Sequence, residues 1–267
     1  MIRLLKIDLA KLLGYRTFWV LLGIYLSILI LIPLGGMETL KWLASKGAEF
    51  GQIDIMKIPL YHFPDIWQNL TYVAKFITLI AGILIIVLIT NEFSYKTVRQ
   101  NVIDGMSRAD FIASKVVFII GLSLLSTIIV LTIGLIMGSI YSPESEMRFM
   151  FKNSGFIPAF FLFTVNFFLF SMLVGFVIKR AGLSIVILLV YPLFEVILRN
   201  SLPGSAENIV DYFPFWAITN LIDFPFTRYA LQEIRDVVAM KDVLINLAYA
   251  PLLVFLSYKT IAKKNLS

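Results

Sequence analysis

Six stretches of this 267-residue chain are long and apolar enough to approach the crossing of a bilayer, and that pattern constrains the fold more than any motif. They are Thr17–Leu34, Thr71–Thr90, Val116–Tyr141, Phe156–Ile178, Ala181–Leu198 and Asp242–Tyr258. Hydrocarbon about 30 Å thick requires roughly 20 helical residues at about 1.5 Å each. The first, fifth and sixth runs are short and are expected to extend a turn at either end. Inside lipid every backbone polar group must be satisfied internally, so such runs are read as helices. The expected fold is an all-α integral membrane protein with six transmembrane helices, one transmembrane domain over residues 1–267 and no separate soluble domain. Composition agrees: 59% of residues are hydrophobic and 15% charged, where a soluble domain carries about 25% charged residues.

Basic residues fix the expected orientation. With six spans both ends of the chain lie on one side, which would hold thirteen of the 23 basic residues and four acids, Asp8, Glu92, Asp104 and Asp110. The other side would hold ten basic and thirteen acidic residues, so the net charges are +9 and −3, consistent with +6 for the chain. The basic side is expected to be cytoplasmic. The pI near 9.4 is then a consequence of topology and gives no reason to invoke nucleic acid. No A-x-A-like site ends the first apolar run, so that span is expected to be retained. Cysteine is absent, which removes disulfides and thiol chemistry.

Several segments depart from plain spans. In residues 1–15, Ile2, Leu5, Leu9, Leu12 and Leu13 share one helical face while Arg3, Lys6 and Ala10 lie opposite. This is the pattern of an amphipathic helix in the headgroup plane, although simple extension of the first span is the other reading. Lys75 lies one turn into the second span and would by default snorkel outward. Gly134 and Gly138 form a G-x-x-x-G pair that permits close helix packing. The fourth span is rich in phenylalanine, which suits either a lipophilic substrate or a lipid-facing surface. Lys179-Arg180 then leaves only a short turn before the fifth span. Glu195 stands one turn before Arg199, so a local i, i+4 ion pair is expected there; an acid inside a span is otherwise a functional-site candidate. Between the last two spans, residues 200–240 include FPFWAITNLIDFPF, apolar but broken by Pro214, Asp223 and Pro225. Two short helices forming a re-entrant outer hairpin are expected.

The chain contains no G-x-x-x-x-G-K-[ST], G-x-S-x-G or H-E-x-x-H motif. His62 is the only histidine, too little for a zinc site or a histidine-based triad. A catalytic role and a cofactor are therefore not expected. Lys75 and Glu195 are the only charges well inside spans, which leaves an ion-coupled secondary carrier or channel as the alternative to a subunit driven by a partner.

The polar interval from Asn91 to Lys115, NEFSYKTVRQNVIDGMSRADFIASK, is a solvated loop or something more. Val98, Val102, Ile103 and Met106 follow the spacing of one helical face, with Lys96, Gln100 and Asp104 turned away. Glu92, Thr97, Val98, Arg99, Gly105, Ser107, Arg108, Phe111 and Lys115 resemble the cytoplasmic loop between spans two and three of the membrane (permease) subunits of type 2 ABC exporters. Lys96 stands where glycine is frequent in that family. The wider layout is similar as well, with an amphipathic N-terminal helix, six spans and a re-entrant hairpin before the last. The resemblance implies a homo- or heterodimer of such subunits in a prokaryotic cytoplasmic membrane, with both termini cytoplasmic. It also implies a pair of ATPase subunits beneath, which would hold the ATP and Mg. The loop helix around Thr97–Met106 would be the coupling helix, with Glu92 and Arg99 as polar contacts. The cargo would be lipophilic or amphipathic.

Overall fold

The structure is a computed structural model, and it describes residues 14–46, 59–95, 97, 107–143, 146–203, 207–226 and 235–262. Six long helices carry the bundle: α1 (Arg16–Ser45), α2 (Ile66–Ser94), α3 (Arg108–Tyr141), α5 (Phe156–Ile178), α6 (Ala181–Ser201) and α9 (Met240–Ala262). Each contains a stretch long and apolar enough to cross a membrane. Three short helices, α4 (Met147–Met150), α7 (Glu207–Val210) and α8 (Pro214–Thr219), lie in the connections. There is no strand among the described residues. The chain is a multi-pass, all-helical membrane protein.

The long helices overrun the apolar runs. α1 continues past Pro33 and the Gly35-Gly36 pair to Ser45, and α2 begins at Ile66, ahead of the apolar run that starts at Thr71. Hydropathy marks where hydrocarbon ends; backbone hydrogen bonding continues until a cap or turn stops it. α5 ends where Lys179 adopts a left-handed conformation (φ 60°) and its N–H closes onto the Gly175 carbonyl at 2.9 Å. Lys179 and Arg180 alone separate α5 from α6. The short turn makes the two helices antiparallel neighbours, as expected.

α2 and α5 form the centre and pack together more extensively than any other pair. α1 and α3 lie together on one flank, α6 rests on α2 and α5, and α9 packs on α5 and α3. Burial follows this order. In the most apolar stretch of α5, 61% of the residues are buried, against 17% in α6. The phenylalanines of α5 are therefore core: Phe160, Phe163, Phe167, Phe168 and Phe176 are all buried. Phe163 stacks between Phe160 and Phe167 at centroid distances of 6.4 and 5.9 Å. These five rings are packed inside the bundle and do not face lipid.

The small residues of α3 also have a specific role. A Cβ on Gly138 would sit 2.2 Å from the Phe63 ring, and one on Gly134 would sit 2.6 Å from Trp67. The G-x-x-x-G pair thus accepts aromatic rings from the start of α2 and the turn before it. Deeper in the bundle, the Tyr25 hydroxyl of α1 meets Ser126 Oγ of α3 at 2.7 Å. Ser126 in turn donates to the Leu122 carbonyl at 2.8 Å, which leaves Tyr25 as the donor. Such a bond between buried helices is adhesive where no water competes.

Candidate functional site

Two polar constellations stand at opposite ends of the bundle. At the end that carries Arg16, Ser94, Arg108 and Ala262, the interval between α2 and α3 is anchored at both edges. Val98, Arg99, Val102, Ile103 and Met106 lie outside the described residues, as does most of residues 1–15, so the structure bears on the edges of this interval. Ser107 is the N-cap of α3: its hydroxyl accepts from the Asp110 N–H at 3.1 Å and donates to Asp110 Oδ2 at 2.6 Å. This satisfies one of the unpaired donors of the first turn, and Asp110 complements the helix dipole.

Glu92, in the last turn of α2, meets Lys115 of α3 at 3.0 Å, and both side chains are largely buried (11% and 14% exposed). Thr97 Oγ1 donates to the other oxygen of the Glu92 carboxylate and lies 3.2 Å from the Glu92 carbonyl. Three of the residues singled out by sequence, Glu92, Thr97 and Lys115, thus form one contact that closes the base of the interval. Lys115 also lies 5.2 Å from the Phe111 ring centroid. Phe111 packs against Phe176 of α5, as does Phe93 of α2, and Lys179 stands over Phe93 at 4.7 Å. Arg108 donates to the Ala262 carbonyl at 2.7 Å, satisfying an orphan acceptor at the end of α9. Asn91 Nδ2 donates to the Tyr15 hydroxyl at 2.5 Å, just ahead of α1. The edges of the interval are therefore fastened to three other parts of the chain, at α5, α9 and Tyr15.

Sequence reasoning missed Asn91, Tyr15, Phe93, Phe176 and Lys179. Their partners are distant in the chain and no local spacing announces them.

At the opposite end, the expected Glu195–Arg199 ion pair does not form. Glu195 is fully buried and accepts the N–H groups of Phe215 and Trp216 at 3.0 and 2.9 Å. Pro214 opens α8 and has no N–H, so these are the first donors that helix offers. A carboxylate placed there satisfies both and complements the helix dipole. Arg199 pairs with Asp211 at 3.2 Å and covers the Trp216 ring at 4.6 Å. The i, i+4 spacing allowed a local pair, but two aligned backbone donors compete more strongly for a buried carboxylate.

Lys75, expected to reach outward from the second span, meets the outer connecting segment. It donates to the Ile222 carbonyl at 2.8 Å and stands 4.2 Å from the Tyr72 ring. Asn246 of α9 joins three elements. Its Nδ2 donates to the carbonyls of Ala217 and Asp242 at 2.6 and 2.9 Å, and its carbonyl and side-chain oxygens accept from Asn166 of α5 at 3.0 and 3.1 Å. Arg235 clasps Asp223 at 2.6 Å and Asp242 at 3.1 Å. The two aspartates hold the Arg235 guanidinium charged, raising its pKa despite the opposing effect of burial. Segment 207–226 is thereby pinned to α2, α5, α6 and α9.

Among the described residues, no group of three or more His, Cys, Asp or Glu side chains could hold a metal ion. Comparison of the sequence with protein-family models and with curated proteins finds no match.

Proposed function

We propose that this chain is the permease subunit of an ATP-driven ABC exporter, powered by a separate ATPase subunit that docks on the 91–115 interval. The observation that carries this reading is the anchoring at the base of the interval. Glu92, Thr97 and Lys115 tie the end of α2 to α3, and Arg108, Asn91, Phe93 and Phe111 extend the tie to α9, α1 and α5. A partner seated on the amphipathic face of Val98, Val102, Ile103 and Met106 would move these helix ends as one body and tilt the spans above them. A free surface loop has no need of such fastening. Arg99 and Arg108 supply charge for the docking.

In this reading a second permease subunit and an ATPase pair complete the machine, and ATP and Mg bind only in the ATPase. The membrane is the cytoplasmic membrane of a prokaryote, with both termini inside. Residues 1–15 lie in the headgroup plane, and residues 200–240 form the re-entrant outer hairpin. The substrate is lipophilic or amphipathic and enters from the bilayer beside the sparsely buried peripheral helices α1, α6 and α9.

The alternative, a carrier using Glu195 and Lys75, is disfavoured because both groups already serve structural bonds within the outer segment. Two measurements separate the readings. Val98→Asp combined with Val102→Asp abolishes co-purification of a P-loop ATPase with this chain from native membranes; undiminished co-purification contradicts the docking role. Transport by the lone subunit in liposomes under an ion gradient, lost in Glu195→Gln, would establish the carrier instead.

A further inference from the structure

α3, α5 and α9 leave an apolar groove of about 610 Å³ on the outside of the bundle. Its α3 wall runs from Ala109 to Ile120, its α9 wall from Ala250 to Tyr258, and Val165 and Leu169 of α5 form the floor. Short side chains on both walls leave room in the trough: Ala109 and Ala113 line it on α3, and Ala250 and Pro251 line it on α9. We propose that this groove is a binding site for one acyl chain of an anionic phospholipid, drawn from the leaflet on the side of Arg108 and Ala262.

Three observations select that occupant. The first is length. From Ala109 to Ile120 the α3 wall rises about 17 Å at 1.5 Å per residue, close to half of a hydrocarbon core about 30 Å thick. A helix of a second copy would need a groove running the full thickness; one leaflet's depth fits a lipid tail. The second is chemistry: along that length the walls are aliphatic and aromatic, with nothing to orient a hydrogen-bonding ligand. The third is charge at one end only. Lys259 stands over Phe255, a wall residue, at 4.5 Å, and Tyr258 marks the interface beside it. Arg108 precedes the first wall residue and uses one N–H on the Ala262 carbonyl, leaving other donors of its guanidinium for a phosphate. The nearby acid Asp110 is bonded to the Ser107 hydroxyl, and Lys263 and Lys264 follow in the sequence. A mouth in which Arg108 and Lys259 outweigh the one carboxylate of Asp110, over a dry trough, matches a negative headgroup with an apolar tail.

This inference shares Arg108 with the proposed docking site, but its test reads lipid retention by this chain without an ATPase, so the two readings fail separately. The test is native mass spectrometry of the intact chain released from micelles containing equal dioleoyl phosphatidylglycerol and dioleoyl phosphatidylcholine. The wild type should retain phosphatidylglycerol preferentially. Ala113→Trp removes room for two or three methylenes, which should weaken retention at least about tenfold. Lys259→Gln should erase the preference for phosphatidylglycerol while lipid is still retained. Leu124→Trp, on an exposed part of α3 beyond the groove, should bind as the wild type does. Ala113→Leu, read by the same adduct ratio, replaces the tryptophan variant if that fails to fold. Equal retention by wild type and the groove-filling variant, equal uptake of the two lipids by wild type, or loss of lipid accompanied by a dimer that the filling variant disrupts would each overturn the proposal.

Discussion

The Glu92–Lys115 pair is the single contact on which the proposed transmission depends most. Its partners lie 23 residues apart in sequence and close the base of the interval in space. Both side chains are largely withdrawn from water, so removing one leaves the other as an uncompensated buried charge. Lys115→Met is therefore expected to destabilise the protein by about 3–5 kcal/mol, measured by equilibrium unfolding in mixed micelles. Adding Glu92→Gln should restore part of that loss, because the orphaned charge is then gone. A double variant no more stable than Lys115→Met would mean that the pair is not a coupled unit. Glu195 makes a related point at the other end. Its carboxylate oxygens are each met by a backbone donor, so its burial is accounted for without a transport role.

Among the elements, α3 does most to join the two ends of the molecule. Its N-cap closes the interval at Ser107, and its far end receives the Phe63 ring against Gly138. Gly138→Ala places a methyl group where the ring stands, and such overpacking costs about 1–3 kcal/mol. The smaller Phe63→Leu in the same chain should return part of it, measured by the same unfolding equilibrium. If Gly138→Ala is neutral, the ring is free to move and the seat is loose. The six long helices were legible from sequence because hydrocarbon thickness imposes a length that few other constraints produce. Their ends were less legible: α1 and α2 run beyond their apolar stretches because caps, and not hydropathy, stop a helix. The outer segment was read only in outline. Two short helices were expected across residues 200–240; among the described residues α7 precedes the proline-broken run and α8 lies within it. That Glu195 rather than Arg199 would engage α8 followed from three-dimensional placement, which i, i+4 arithmetic cannot see. At the opposite edge, Glu92, Thr97, Arg108 and Lys115 were all named from sequence. The tyrosine, asparagine and phenylalanines that fasten them were not, since each meets a partner many residues away.

For the whole molecule, burial divides the bundle into a rigid centre and a sparsely covered periphery. α2 and α5 hold the core, while α1, α6 and α9 expose most of their apolar surface to the surrounding bilayer. A partner pushing on the 91–115 interval would act through α2 and α3, and α2 packs along the length of α5. Motion entering at one end would reach the segment pinned by Glu195, Lys75 and Asn246 at the other. The sequence offers a clean way to test where that motion enters, because the chain contains no cysteine. A single Val102→Cys variant can be treated with a bifunctional thiol cross-linker in native membranes and the product sequenced. The account predicts a covalent adduct with a P-loop ATPase whose yield changes when ATP and vanadate are added. A Val102→Cys chain that stays uncross-linked and is labelled from the outer face by an impermeant maleimide would contradict it.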